Sequence, residues 1–133
     1  MRVFLVFLFC WMPVFAKADT VGDPESGARL FGLHCAACHG PGARGDGPLS
    51  DGMTPAPPDL TLLAKQNHGA LPLTGIATRI DSRNSQNSQH GGMPVYGWFF
   101  DGPVVTISSG TAGDFETTQP IADLLAWLGT VQD

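Results

Sequence analysis

The chain has 133 residues, 43% of them hydrophobic and 14% charged, with a formal charge of −5. That length makes one domain with a modest core. Twelve acidic residues against seven basic ones exclude nucleic acid as a partner, since a phosphate backbone needs a cationic face.

Residues 3–15 form an apolar run behind Met1 and Arg2, followed by Ala16-Lys17-Ala18, small residues at the spacing a signal peptidase prefers. The run is shorter than the roughly 20 residues a bilayer span requires. The pattern predicts a signal peptide over residues 1–18, with an uncleaved anchor as the alternative. Cys10 follows the bulky Phe9, which a lipid-attachment cysteine would not tolerate, and leaves with the signal. Residues 19–133 are then the mature domain, exported to the periplasm, without a membrane span and with five basic against twelve acidic residues.

Asp23 can cap a first helix, with Pro24 at its first position and Glu25 at the positive end of its dipole. Ala28, Phe31 and Cys35 follow at helical spacing. Gly27 and Gly32 weaken this helix by about 1 kcal/mol each relative to alanine, a cost easier to understand if another helix crosses closely. Residues 40–58 hold five glycines and five prolines and must be loop. So long a loop in a small domain makes sense if it wraps a ligand. A short helix is expected over residues 58–65, and another over residues 75–80 capped by Thr74. Residues 82–92 are polar and read as exposed loop. The β-prone residues 104–107 could pair with Phe99-Phe100 as a small hairpin. In the last helix Thr118 is the capping candidate and Pro120 lies in the first turn. Ile121, Leu124, Leu125 and Leu128 recur at i, i+3, i+4 and i+7, beside Trp127.

The chemistry is concentrated in Cys35-Ala36-Ala37-Cys38-His39. Zinc wants four ligands, and a second cysteine pair is missing. A thiol–disulfide switch wants its first cysteine on a strand-to-helix turn, but this pair ends a helix. In an oxidising compartment the two thiols could pair, yet so short a ring stabilises little. Covalent haem needs what is present: two thiols at the spacing of the porphyrin vinyl groups, then His39 as the proximal iron ligand. This composition yields the pattern by chance about 0.002 times.

An electron-carrying iron also wants a sixth ligand, and a thioether raises its potential. Met93 lies in a loop where Gly91 and Gly92 let backbone approach a flat ring and Pro94 stiffens the exit. Met53, in the earlier loop, is its competitor, and His90 and His68 are bis-histidine alternatives.

These residues resemble the small soluble bacterial c-type cytochromes: class I, mono-haem and His/Met ligated. The resemblance rests on Cys35-Ala36-Ala37-Cys38-His39-Gly40, Gly45-Asp46-Gly47-Pro48, Pro57-Pro58-Asp59-Leu60-Thr61, Ile80-Asp81 and Met93-Pro94-Val95-Tyr96-Gly97. It implies an all-α cytochrome c fold, with terminal helices crossing at Gly27 and Phe31 against Leu124 and Trp127, and short helices and long loops wrapping one haem c. It implies thioethers at Cys35 and Cys38, His39 and Met93 on the iron, and the Pro48 carbonyl accepting the proton on the far nitrogen of His39. Phe31, Leu60, Leu63, Ile76, Tyr96, Phe99, Leu124 and Trp127 are expected to keep water from the ring. The expected function is a monomeric, non-enzymatic carrier of single electrons between a redox protein donor and acceptor. A haem enzyme or ligand sensor with a labile sixth position, or a fixed subunit of a larger oxidoreductase, is the alternative. Residues 101–118 are longer and more β-prone than the resemblance implies, and could be a neutral insertion, cover a haem edge or touch a partner.

Overall fold

Asp23 caps the first described helix as the sequence requires. Its carboxylate accepts the Glu25 and Ser26 N–H groups at 3.2 and 3.1 Å, two donors with no partner inside the helix. These bonds, and one from the Ser26 hydroxyl above all, hold the Asp23 carboxyl below its ordinary pKa. The cap therefore stabilises the fold above the unfolded carboxylate pKa and is lost as pH falls through the lower folded value. In the computed structural model, which describes residues 21–84, 92–110 and 113–133, this helix (α1) spans Pro24–His34. The expected signal over residues 1–18 lies outside the described residues, as does His90.

After Cys35 a single further turn, α2 (Ala36–His39), carries the rest of the cysteine motif and ends at Gly40. Residues 40–58 are loop apart from a short 3₁₀ turn, Ser50–Gly52. A second 3₁₀ turn, Leu60–Leu62, runs into α3 (Leu63–Gln66), and α4 spans Leu73–Asp81. The short helix expected over residues 58–65 is thus two pieces. Thr74 does not cap α4. It lies inside the helix, Pro72 takes the cap position, and the Thr74 carbonyl accepts the Thr78 hydroxyl.

The last helix, α5 (Gln119–Thr130), buries Ile121, Leu124, Leu125 and Leu128. Burying side chains of this size contributes about 1.5–3 kcal/mol each. Thr118 holds the cap position, but its hydroxyl makes no capping bond. It donates instead to the Phe100 carbonyl at 2.6 Å, tying the start of α5 to the preceding loop.

Helices α1 and α5 cross where Gly27 faces Asp123 and Trp127. A Cβ on Gly27 would strike the Asp123 carbonyl oxygen and come within 2.8 Å of the Trp127 Cβ. Phe31 and Trp127 pack beside this point, ring centroids 4.2 Å apart. Gly22 makes a second close approach, to the Ala122 carbonyl, that the sequence reading missed. Gly32 corrects the expectation that both helix glycines mark the crossing: nothing lies within 4 Å of its Cβ position. The buried Asp123 carboxylate accepts from the Asp23 N–H at 2.9 Å and the Gln119 side chain at 2.8 Å, which offsets its desolvation.

The fold is mostly helical, with one small antiparallel sheet of β1 (Val104–Ser108) and β2 (Asp114–Thr118). The expected pairing with Phe99-Phe100 does not form. The N–H groups of Phe99 and Phe100 both bond to the Tyr96 carbonyl in a turn, which sends Phe100 into the core and leaves Phe99 exposed. Ile107 and Phe115 are register partners on the sheet face that packs against the core.

At the C-terminal end, the Gln132 side chain accepts from Ala64 N–H and donates to the Leu60 carbonyl, both at 2.9 Å. Asp133 N–H donates to the Thr61 carbonyl, and its carboxylate meets Arg44 at 3.3 Å. The irregular middle of the chain is thereby fastened to the end of α5.

Gly27→Ala is expected to destabilise the haem-loaded protein by about 1–3 kcal/mol, the usual cost of overpacking. Gly32→Ala should stabilise it by about 0.5–1 kcal/mol through helix propensity alone. Denaturant titration monitored by circular dichroism checks both signs.

Candidate functional site

Cys35 and Cys38 are three residues apart across the α1–α2 junction, so their side chains share one face. Both are free thiols, half-buried, and both line a cavity of about 420 Å³ together with His39. Burial first, and the neighbouring Cys38 second, push the Cys35 thiol up to about 11. A thiol–disulfide switch needs the opposite, a thiolate favoured near neutral pH. Zinc fares no better: among the described residues no group of three or more His, Cys, Asp or Glu side chains could hold a metal ion.

Burial holds the His39 imidazole below its usual pKa, while the Pro58 carbonyl near the ring opposes part of that shift. The ring is accordingly neutral at pH 7, the form that ligates a metal. Its Nδ1 is buried and, among the described residues, has no hydrogen-bond partner, a rarity for a buried polar atom. Pro48, expected to supply an acceptor there, is exposed in the next turn. That turn is nevertheless pinned to α2, through Gly47 N–H to the Cys38 carbonyl at 3.2 Å and Leu49 N–H to the Ala37 carbonyl at 2.9 Å.

Met93 and Met53 both line the same cavity. Met93 also packs against the buried core, whereas Met53 follows the Ser50–Gly52 turn, its N–H bonded to the Ser50 carbonyl. His68 is exposed and is not part of the lining.

Of the expected apolar shell, Phe31, Leu60, Leu63, Ile76, Tyr96 and Leu124 line the cavity. Phe99 and Trp127 do not. Phe99 is 74% exposed, and Trp127 packs behind Phe31 on the helix crossing. The proline-rich loop contributes Pro55, Pro57 and Pro58 to the wall, as a ligand-wrapping loop would. Among the described residues, none of the 101–118 segment lines the cavity.

The sequence reading missed Ile80, Leu128, His34 and Arg79 as lining residues. Ile80 is one turn from Ile76 and Leu128 one turn from Leu124, so helical spacing could have found both. Nothing in the sequence marks Arg79. Among the described residues it is the one permanent cation in the lining, no carboxylate lines the cavity, and Arg79 forms no ion pair.

An apolar cavity with two unpaired thiols, a neutral imidazole, two thioethers and one unmatched guanidinium fits a flat iron porphyrin with carboxylate arms. The profile of the cytochrome c family matches residues 24–132, and the chain belongs to that family. It is a c-type cytochrome, and its cofactor is covalently bound haem c. No curated protein matches the chain. Among solved structures it is similar to a chain of the reducing HAO-like protein complex of Kuenenia stuttgartiensis, at 22% identity and a TM-score of 0.53. The match covers 84% of this chain and 44% of that one, so this chain spans less than half of its neighbour's length. At that identity the likeness concerns the fold alone.

Changing both Cys35 and Cys38 to alanine is expected to make all haem extractable into acidified acetone. The unaltered protein should keep its pigment in the precipitate, which absorbance of the two fractions measures.

Proposed function

We propose that this protein is an exported, monomeric carrier of single electrons, shuttling in the periplasm between a redox protein donor and acceptor without catalysing a reaction of its own. Cys35 and Cys38 would hold one haem c through thioethers, and His39 and Met93 would be its iron ligands. The observation that carries this reading is the convergence of Cys35, Cys38, His39 and Met93 on one largely apolar cavity.

When bound, the haem supplies a ferric–ferrous couple. The chain's residues set the conditions for it. Burial keeps His39 neutral and ready to ligate. The Met93 thioether favours the reduced state. Phe31, Leu60, Leu63, Ile76 and Leu124 exclude water, and low polarity disfavours the extra ferric charge. His39 and Met93 would both hold the iron, which would leave small substrates no open site. The carbonyl that already lies near the ring favours Pro58, in place of the expected Pro48, as the group that would accept from the far nitrogen of His39.

Mass spectrometry and the optical spectrum of the matured protein test this reading. A single haem increment, a low-spin spectrum, a sulfur-to-ferric charge-transfer band near the red edge and no carbon monoxide binding are expected. Met93→Ala should abolish the band and let carbon monoxide bind stoichiometrically, while Met53→Ala leaves both unchanged. The reverse outcome would assign the ligand to Met53, and carbon monoxide binding to the unaltered protein would favour an enzyme or sensor.

A further inference from the structure

The residues just beyond Met93 are fastened to the C-terminal end of α4. Tyr96 N–H donates to the Ile80 carbonyl at 3.2 Å and Gly97 N–H to the Asp81 carbonyl at 3.0 Å. Across the same point the Asp81 carboxylate accepts three bonds from Arg83: its N–H at 3.2 Å, Nε at 2.7 Å and Nη2 at 2.9 Å. This is the two-pronged geometry that makes an arginine–carboxylate pair strong and directional. The two side chains are 26% and 30% exposed, so solvent screens them less than the other ion pairs of the fold. The guanidinium also stands 5.8 Å from the centroid of the exposed Trp98 ring, with cation–π attraction. Asp101 adds a weaker pull on the same cation.

Gly97 lies beneath this fork. It is buried, and a Cβ there would strike the Asp81 Oδ1 and come within 2.6 Å of Arg83 Cγ and Nε. The charged pair therefore closes directly over the backbone four residues after Met93. Tyr96 carries the restraint onward: its hydroxyl donates to the His34 carbonyl at 2.7 Å, and its ring stacks on the buried Phe100 at 5.4 Å.

We propose that Asp81, Arg83 and Gly97 form a clasp that positions the Met93 segment and sets how strongly Met93 resists replacement by an exogenous base at the iron. The proposal rests on Met93 being the sixth ligand. Replacement breaks one iron–sulfur bond and forms one iron–nitrogen bond, with no change of oxidation state. Moving the Met93 segment away from the iron strains the Tyr96 and Gly97 bonds to α4, so the clasp opposes the backbone motion that would accompany loss of the thioether. Groups outside the ligand sphere that orient a ligand commonly control metal affinity in this way. Asp81, Arg83 and Gly97 are positioning residues and do not touch the cofactor.

The test is imidazole titration of the ferric, haem-loaded protein. Asp81→Asn and Arg83→Gln should each bind imidazole about tenfold more tightly than the unaltered protein, the scale of one charge-assisted hydrogen bond. Their charge-transfer band should persist without imidazole. Arg83→Lys, which cannot form the fork, should fall between. Gly97→Ala keeps both charges but displaces the fork, and should reproduce the gain if a charge variant fails to fold. Arg44→Gln breaks the Asp133 pair elsewhere and should leave imidazole affinity unchanged. Amide exchange at Tyr96 and Gly97 should quicken in the clasp variants alone. Unchanged affinity in Asp81→Asn and Arg83→Gln, or an equal gain in Arg44→Gln, overturns the clasp. If the unaltered protein lacks the band, the Met93 assignment fails and the clasp falls with it.

Discussion

The crossing of α1 and α5 is the contact on which the rest of the molecule depends. Gly22 and Gly27 let α1 settle against the Ala122 and Asp123 carbonyl oxygens, closer than any side chain would allow. That approach sets the Phe31 ring, tilted, against Trp127 and carries Cys35, Cys38 and His39 to a cavity whose wall includes Leu124 and Leu128 of α5. One buried methyl group at the crossing would move the attachment residues relative to the wall they face. The Asp23–Asp123 hydrogen bond secures the same crossing at its polar end.

The remaining wall comes from elements too short to stand alone. α2 and α3 have four residues each, and helices of that length are unstable without tertiary support. They are held by specific bonds to longer elements, as in the Gln132 and Asp133 contacts to residues 60–64. The hydrophobic cofactor of this family takes the place of core that so small a chain lacks, and the proline-rich loop can be long because it packs against a ligand site.

The sequence disclosed most where chemistry or strong periodicity leaves few options. The cysteine motif, the Asp23 cap, the α5 stripe and the cost of Gly27 were all legible. Side-chain spacing does not reveal which backbone group will come near, so Gly22 was missed and Gly32 misread. Thr118 was read as a cap by residue type, but the Phe100 carbonyl competes for its hydroxyl and wins. Phe99 and Phe100 were read as strand by propensity, whereas the Tyr96 carbonyl turns them and Asp114–Thr118 supplies the true partner. Arg79 could not have been anticipated, because its place in the cavity depends on how α4 is rotated.

The Tyr96 hydroxyl bond to the His34 carbonyl has a wider meaning. It joins the segment just after Met93 to His34, the residue just before Cys35, so two sides of the haem cavity share a single frame. A frame of that kind resists changing shape when charge arrives or leaves. Little nuclear rearrangement then accompanies each electron, and electron exchange can stay fast even when the driving force is slight.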